Sequence, residues 1–346
     1  MNAAIGLASM ASACVLSAAA TPALRRLALR WNLSDRPGGH KAHDHPTPYL
    51  GGPAIVLGTV VPTAAALGLA DLRITAIVLA ATAIAALGLI DDIASLPVVT
   101  RLTVESVAAG GVVLSGVHVT VTGQWVDGLI TVMWIVVMTN SFNLLDNMDG
   151  ALGTVTAVTA AFLAAAALMS DRPAFAVLLG ALALSCLGFL AHNWPPARIF
   201  MGDSGSLFIG FTLTCSSVAV ETGRAAGTTA AGLLLWTFVA VVDTGVVLVS
   251  RIRAGRSPLS GGTDHLSHRL RRMGLGSRAV PAALGAVAAV PGALCLAIAV
   301  GWVPALAAAI VTGGVATLLI GLLQGVPAYA PVGPVDNLAK ITERRR

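Results

Sequence analysis

Carboxylates interrupt the long apolar segments of this chain at four places. The four places are Asp91 with Asp92, Asp146 with Asp149, Asp203, and Asp264 beside His265 and His268. An ionisable side chain beside an apolar run of bilayer length is costly to keep there, so it indicates a functional site. Several carboxylates of this kind would suit a divalent metal ion that faces a charged, phosphate-bearing substrate.

Asp91 and Asp92 end an apolar segment as an adjacent pair. Neighbouring residues on a helix point about 100° apart, so only one of the two can face a given site squarely. Two carboxylates this close do not both ionise easily unless a cation, a lysine or an arginine balances them. A solvated helix end is the alternative, but anions are unfavourable at a helix C-terminus. The pair is therefore predicted to be functional.

Asn143, Asp146 and Asp149 are spaced three residues apart in an Asn- and Asp-rich segment. On a helical turn this spacing would give a nearly continuous stripe of oxygen atoms. Hard cations such as Mg²⁺ take oxygen ligands of this kind, together with substrate phosphate oxygens. A capped turn that ends at Gly150 is the alternative, although a turn needs fewer such residues.

A glycine-rich segment around Asp203 precedes the next apolar run. Gly202 and Gly205 would let the backbone approach a ligand closely, and the amides that open the next helix could receive a phosphate. Asp203 would then hold a metal ion beside that phosphate. Phe200 could stack on a nucleotide base.

Two basic loops complete the candidate residues. His265 and His268 share a face if their segment is helical, with Arg269 adjacent, and this arrangement would bind phosphate. A loop that contacts anionic lipid is the alternative, and zinc is disfavoured because no thiolate is near. Lys41 lies in the first polar loop, where basic residues could hold a diphosphate.

The composition is that of a membrane protein with little mass outside the bilayer. Of the 346 residues, 56% are hydrophobic and 11% are charged, against about 25% charged in soluble domains. The four cysteines lie singly in apolar runs, so neither a disulfide framework nor a thiolate metal site is expected. We expect residues 1–23 to be a first span rather than a cleaved signal peptide, because no positive segment precedes them.

Apolar stretches of bilayer length predict an all-α, polytopic fold with about eleven transmembrane helices. The predicted spans are 2–23, 50–70, 74–91, 103–121, 127–144, 151–169, 174–191, 206–220, 229–250, 279–300 and 302–324. Alternate crossings leave only Arg73, Arg172 and Arg224 in one set of loops, and the other 18 of the 21 lysines and arginines in the second set. The positive-inside rule makes the second set cytoplasmic. The N-terminus is then outside, and the C-terminus and every acidic cluster are cytoplasmic.

These five segments, in this order, resemble the polyprenyl-phosphate N-acetylhexosamine-1-phosphate transferases. This is glycosyltransferase family 4, of the lipid I synthase and undecaprenyl-phosphate GlcNAc-1-phosphate transferase type. The similarity runs over residues 35–270, within one transmembrane phosphotransferase domain, 1–346. The sequence His-Leu-Ser-His-Arg lacks a run of three histidines and looks more like the UDP-GlcNAc branch. Asp-Asn-Met-Asp-Gly replaces the commoner Asp-Gly-Leu-Asp-Gly.

The resemblance implies a reaction and a role for each motif. A sugar 1-phosphate, GlcNAc-1-phosphate in the favoured branch, would pass from a UDP-sugar to undecaprenyl or decaprenyl phosphate, releasing UMP and starting a cell-envelope polysaccharide. Mg²⁺ is the implied cofactor, and Mn²⁺ could replace it. The implied roles are Asp203 and Asn143 on the metal, Asp91 or Asp92 on the lipid phosphate, Asp146 and Asp149 on the nucleotide, Phe200 on uracil, and Lys41, His265, His268 and Arg269 on phosphates.

The implied partners are a UDP-sugar, a polyprenyl phosphate and the bacterial plasma membrane, with no nucleic acid and with a homodimer as an open arrangement. The rival hypotheses are a secondary transporter of an anionic solute, a lipid-binding scaffold, and a lipid I-type transferase of phospho-MurNAc-pentapeptide. A transporter would more often place polar groups through the membrane to its midplane, whereas here they gather at one side. Whether the attack is direct or passes through an aspartyl-phosphate stays open.

Overall fold

The computed structural model describes residues 3–35, 47–68, 70–258 and 261–329, and this part of the chain is nearly all helical. The predicted all-α class is therefore confirmed. Lys41 lies outside the described residues, together with the rest of the segment 36–46 of the first polar loop. The helices are α1 (Ala3–Arg30), α2 (Gly52–Leu67), α3 (Leu72–Ile93), α4 (Val98–Leu114), α5 (Val126–Leu145), α6 (Ala151–Met169), α7 (Pro173–Asn193), α8 (Gly202–Glu221), α9 (Ala226–Trp236), α10 (Phe238–Arg253), α11 (Leu266–Arg272), α12 (Ala279–Ala299) and α13 (Ala305–Leu323). Two short strands, β1 (Ser34–Asp35) and β2 (Thr47–Pro48), pair antiparallel.

Each of the eleven predicted apolar segments contains a helix. Seven helices in the described ranges are long and apolar enough to cross a membrane, and the count rises to eight if the bent pair α9 and α10 is one span. That pair bends by 71° at Thr237, inside the predicted span 229–250. The chain is a multi-pass helical membrane protein. The number eleven and the orientation of the termini stay predictions.

Helix α8 lies at the centre of the bundle. All its residues from Ser204 to Glu221 are buried, and it packs most extensively on α3 and α5. This burial explains why a helix rich in serine, threonine and glycine can lie inside a membrane protein, since small residues let helices approach closely in lipid. A Cβ atom on Gly88 of α3 would lie 2.5 Å from the carbonyl carbon of Asp203. The α3 and α8 backbones therefore touch beside the Asp91–Asp92 pair.

Two arginines hold the other end of α8. The Arg172 guanidinium donates hydrogen bonds to the carbonyls of Ala219 and Thr222. Arg224 lies 3.4 Å from Glu221 and donates to Ser170. Cations are favourable at a helix C-terminus, where carbonyl groups lack helical partners. Two of the three arginines that fall outside the predicted cytoplasmic set therefore stabilise the end of the central helix.

Candidate active site

Four helices each contribute one side chain to a cluster around Asp203, the second residue of α8. Asp203 Oδ1 accepts a hydrogen bond of 2.9 Å from Asn143 Nδ2 on α5. Asp203 Oδ2 lies 3.3 Å from Arg101 Nη1 on α4, and the same nitrogen lies 2.5 Å from Asp91 Oδ2 on α3. The structure thus brings together three of the residues that the motifs single out, with Arg101 between the two carboxylates.

Asp92 caps the N-terminus of α8. Its two carboxylate oxygens accept the backbone N–H groups of Asp203 at 2.9 Å and Ser204 at 3.2 Å. Gly202 makes this approach feasible, because its φ is +66° and a Cβ there would lie 2.5 Å from Asp92 Oδ2. The expectation that these amides receive a substrate phosphate is wrong in this structure, because a carboxylate of the protein already occupies them.

Asp91 points to different partners from its neighbour, as the 100° helical rotation predicts. Its Oδ1 accepts the backbone N–H of Leu96 at 2.6 Å, and its Oδ2 faces Arg101. One aspartate of the pair therefore holds the central helix, and the other joins the charged cluster with Asp203. The role on the lipid phosphate that the resemblance implies for Asp91 or Asp92 stays a prediction.

The predicted oxygen stripe on one helical face is wrong. Helix α5 ends at Leu145, so of the three residues only Asn143 is helical, and Asp146 follows as the C-cap. Gly150 then takes a left-handed conformation, φ +71°, before α6 begins. Helix α5 therefore ends in a turn of Asn, Asp and Gly residues, which was the alternative prediction for this segment. Asp149 Oδ2 accepts the N–H of Ala197 at 2.8 Å and so ties this turn to the segment before α8.

Asp146 lies in a strongly negative environment. Burial, followed by the charges of Asp203, Asp92 and Asp149, raises the pKa of Asp146 to about 8. A carboxyl group with this pKa carries its proton at neutral pH, so it can donate a hydrogen bond as well as accept one. The same neighbours show that negative charge accumulates at this end of the bundle.

Phe200 is half-buried, and its backbone joins the segment before α8 to the region of β2. Its N–H donates to the Pro48 carbonyl at 2.8 Å, and its carbonyl accepts the N–H of Gly51 at 2.9 Å. The chain is therefore fixed on both sides of Phe200. Stacking of its ring on a nucleotide base stays a prediction.

The loop before α11 is anchored by Asp243, which lies within α10. Asp243 Oδ2 is 2.9 Å from His265 Nδ1, and its Oδ1 accepts the N–H of Leu266 at 2.7 Å. With Nδ1 on the carboxylate, Nε2 is the ring nitrogen that is left for another hydrogen-bond partner. The buried carboxylate of Asp243 therefore pairs with this histidine.

His268 lies close to His265, with ring centroids 6.3 Å apart. Burial, followed by the charges of His265 and Arg272, lowers the pKa of His268 to about 4. His268 is therefore neutral at pH 7 and would contact a phosphate through a hydrogen bond rather than through a positive charge. Ser267 donates a hydrogen bond to Asn147, so α11 contacts the Asn- and Asp-rich turn.

The guanidinium of Arg269 is not placed to bind phosphate, as the motif suggests it would. Its side chain is 1% exposed, and its guanidinium donates to the carbonyls of Asp264, Leu323 and Val326 and to Ser250. Four of its five N–H groups are therefore used inside the protein. This geometry supports a structural position for Arg269 and corrects the expected direct contact with phosphate.

The cluster around Asp203 has the donor atoms that a hard divalent cation takes. The described residues contain no ready-made group of three or more acidic, histidine or cysteine side chains for a metal. However, Asp91 and Asp203 converge on one arginine, and two carboxylates in such proximity are stabilised by additional positive charge. Mg²⁺ usually takes one or two carboxylates from a protein and completes its shell with water and phosphate oxygens. The residues present therefore fit Mg²⁺.

Two candidate functional residues lie outside the sequence motifs. Arg101 lies ten residues after Asp91 and belongs to none of the motifs. The need for a positive charge beside an aspartate pair could have pointed to it. Glu105 lies one turn further along α4, is 0% exposed, and accepts a hydrogen bond from Asn140. A buried carboxylate in an apolar helix could have marked Glu105 as well.

The fold and the cluster define a class: a multi-pass helical membrane protein with acidic residues of several helices gathered at one end. The family model for glycosyl transferase family 4 matches residues 74–221, the stretch that runs from α3 to α8 and contains Asp91, Asn143 and Asp203.

Relatives match over most of the chain. A Streptomyces coelicolor protein named as a glycosyltransferase is 41% identical over 92% of this chain and 75% of its own length. A probable undecaprenyl-phosphate N-acetylglucosaminyl 1-phosphate transferase of Bacillus subtilis is 30% identical over 75% of each chain. A decaprenyl-phosphate N-acetylglucosaminephosphotransferase of Mycolicibacterium smegmatis is 34% identical over 76% of this chain and 74% of its own length. The chain belongs to glycosyl transferase family 4, and the resemblance found in the motifs is confirmed.

Proposed function

We propose that the protein transfers GlcNAc-1-phosphate from UDP-GlcNAc to a polyprenyl phosphate and releases UMP. The names of the Bacillus and Mycolicibacterium relatives support a polyprenyl phosphate acceptor and an N-acetylglucosamine phosphate donor. The single observation that carries the proposal is the convergence of Asp91, Arg101, Asn143 and Asp203 from four helices. A site of mixed charge at the end of a membrane bundle suits a reaction between a lipid phosphate and a water-soluble nucleotide.

The proposed reaction joins two anions. An oxygen of the lipid phosphate attacks the β-phosphorus of UDP-GlcNAc, the bond from that phosphorus to the bridging oxygen breaks, and UMP leaves with the electron pair. Bound Mg²⁺, or Mn²⁺ in its place, would offset the charge of the diphosphate and of the leaving UMP. Asp203 would hold the ion, with Asn143 as second ligand once its amide turns to present Oδ1.

The other residues then have roles that follow from their contacts. Arg101 would reduce the repulsion between Asp91 and the incoming lipid phosphate, and Asp91 would orient that phosphate. Asp92 acts through α8, because it fixes the backbone of Asp203. Asp146 and Asp149 would position the nucleotide. His265 and His268 would donate hydrogen bonds to the diphosphate.

We further propose that residues 1–346 form one transmembrane phosphotransferase domain in a bacterial plasma membrane, with the site on the cytoplasmic side. The placement of 18 of 21 lysines and arginines in one set of loops supports this orientation. Lys41 would belong to the same side and contact the diphosphate. No nucleic acid partner is proposed.

Asp203→Asn tests the assignment. The purified protein is given Mg²⁺, undecaprenyl phosphate and radiolabelled UDP-GlcNAc, and the release of UMP and the formation of labelled lipid are measured. We expect Asp203→Asn to lower the rate by about a hundredfold or more. The substitution removes a negative charge that holds the cation, and through the cation the diphosphate. Asp171→Asn is the matched control, since Asp171 is exposed in the loop between α6 and α7, and it should keep the wild-type rate.

Other outcomes would identify a rival function. Labelled UDP-GlcNAc that crosses a vesicle membrane unchanged would establish a transporter and exclude the transferase. UMP release only with UDP-MurNAc-pentapeptide would retain the reaction class and replace the donor. Equal rates for Asp203→Asn and Asp171→Asn would remove Asp203 from the site.

A further inference from the structure

The segment after the last long helix folds back onto the loop that carries the histidines. We call residues 324–329 the C-terminal strap and residues 261–268 the histidine loop. The guanidinium of Arg269 donates to the carbonyl of Val326 at 2.6 Å, and Arg272 donates to the carbonyl of Pro327 at 2.8 Å. Gln324 donates to the Val246 carbonyl on α10 at 3.2 Å. The strap is therefore bound to both helices that flank the histidine loop.

Tyr329 makes the contact that reaches the loop itself. Its hydroxyl donates a hydrogen bond of 2.7 Å to Asp264 Oδ2, and the guanidinium of Arg256 lies 4.6 Å from its ring centroid. Burial and the neighbouring Asp264 raise the pKa of Tyr329, so the hydroxyl keeps its proton at neutral pH. A phenol donor on a carboxylate gives a charge-assisted hydrogen bond, which is stronger than one between neutral groups.

Asp264 is an enclosed charge whose position depends on its partners. It is 0% exposed, and its carboxylate accepts two hydrogen bonds from Arg251, at 3.0 and 3.2 Å. Burial alone would raise the pKa of Asp264, but the hydrogen bonds from Arg251 and Tyr329 and the charge of Arg251 lower it. The group is therefore an ionised carboxylate held by an arginine of α10 and by the strap, and removing a donor from such a buried group is costly.

The next residue along the chain is His265. Its ring is held from one side by Asp243, while its backbone begins immediately after Asp264. Ser267, two residues after His265, contacts Asn147 in the turn that also carries Asp146 and Asp149. A shift of Asp264 would therefore move the histidine loop against the part of the site assigned above to the nucleotide.

We propose that Tyr329 is a positioning residue, through which the C-terminal strap holds the histidine loop in place for the nucleotide diphosphate. This inference rests on the proposed function for the identity of the ligand. It also gives Arg269 a role, because its buried guanidinium ties the strap to α11 instead of binding phosphate. Tyr329 touches no substrate in this assignment and acts through Asp264.

Three variants of the full protein separate this role from a general effect on folding. Tyr329→Phe removes the hydroxyl and keeps the ring beside Arg256. A chain that ends at Pro327 lacks Tyr329, whereas a chain that ends at Val332 loses the remaining tail and retains the strap. For each variant, KM is measured separately for UDP-GlcNAc and for undecaprenyl phosphate, and amide hydrogen exchange is followed in peptides that cover residues 261–268.

We expect Tyr329→Phe and the chain that ends at Pro327 to raise KM for UDP-GlcNAc about tenfold, the scale of one lost hydrogen bond to a charged group. KM for undecaprenyl phosphate should stay at the wild-type value, and exchange should increase in residues 261–268 but not in α3 or α8. The chain that ends at Val332 should match the wild type. A change in one KM and in one peptide is not expected from a variant that simply unfolds.

Other results for the two KM values would contradict the positioning role of Tyr329. Wild-type KM for UDP-GlcNAc in Tyr329→Phe, or an equal rise in both KM values, would overturn the positioning role. If the wild-type protein does not turn over UDP-GlcNAc at all, the proposed function fails instead. The exchange comparison then decides whether the strap holds the loop, because it needs no activity, and unchanged exchange in residues 261–268 would reject the contact.

Discussion

Individual residues of the same type have different roles in this protein, because their contacts differ. Asp91 and Asp92 are adjacent, yet one faces Arg101 and the other receives two backbone amides of α8. His265 and His268 are three residues apart, yet among the described residues only the ring of His265 has a hydrogen bond with a carboxylate. Chemical type and spacing therefore identify the candidates, and the partners assign each candidate its role.

His268 predicts a dependence of stability on pH. Its pKa in the folded protein is about 4, below the ordinary value of 6.5, so the unfolded chain binds a proton more strongly between these two values. The free energy of unfolding should therefore fall as the pH is lowered from 6.5 towards 4. His268→Gln should remove this part of the slope.

Thermal unfolding of the purified protein at several pH values measures the effect. The wild type and His268→Gln are compared over the same pH range, so that the contribution of the acidic residues is common to both. An identical slope for the two proteins would show that His268 is not held neutral by its surroundings.

Among the helices, α8 determines the geometry of the site, since it carries Asp203 and is fixed at both ends. Asp92 caps its first turn, and Arg172 binds carbonyls at its last turn. Helix α3 is also capped by an aspartate, because Asp71 accepts the N–H groups of Arg73 and Ile74. Helices α3 and α8 therefore each have an aspartate cap at the N-terminus, and the cap of α8 adjoins the candidate site.

Asp92→Ala and Asp71→Ala form a matched pair of cap deletions. Each should lower the free energy of unfolding by about 1 kcal/mol, the usual cost of losing an N-cap side chain. Only Asp92→Ala should also lower UMP release per folded molecule, because the backbone of Asp203 loses its support. Thermal unfolding and the UMP assay are made on the same preparations.

Asp92→Asn then separates positioning from proton transfer. An asparagine is also a good N-cap, so a positioning role predicts that Asp92→Asn regains much of the activity lost in Asp92→Ala. If both substitutions are equally inactive, Asp92 takes part in the chemistry itself.

The whole molecule is a bundle of apolar helices in which the candidate site residues lie at one end, while Arg172, Glu221 and Arg224 lie at the other end of α8. The seven or eight helices able to cross a membrane agree with this view, while the cytoplasmic position of the site rests on the distribution of lysine and arginine. This orientation is open to a direct test, because Cys186, Cys215 and Cys295 are buried and should react poorly with a polar thiol reagent.

Asp171→Cys and Arg271→Cys report the two sides of the membrane. Both positions are exposed, in the α6–α7 loop and in α11. A membrane-impermeant maleimide added to intact cells should label Asp171→Cys, whereas Arg271→Cys should react only after the membrane is opened. The wild type, which retains Cys14, measures the background, and the reverse pattern would invert the proposed topology.

The helices and the motif residues could be predicted from the sequence. Apolar runs of bilayer length must form helices, because lipid offers no partner to unpaired backbone groups. Each predicted span therefore contains a helix, and the acidic clusters stood out because charge is costly beside such runs. The bend between α9 and α10 at Thr237 was not predicted, since the apolar pattern continues through it.

Contacts between distant residues required the folded structure. Asp92 and Asp203 are 111 positions apart, so no local spacing reveals that one caps the helix of the other. Similarly, Arg269 stands beside a histidine in the motif, yet its guanidinium binds carbonyls 54 and 57 positions away. Spacing along a chain constrains which side chains share a local face, but the partners of a buried charge depend on how the helices pack.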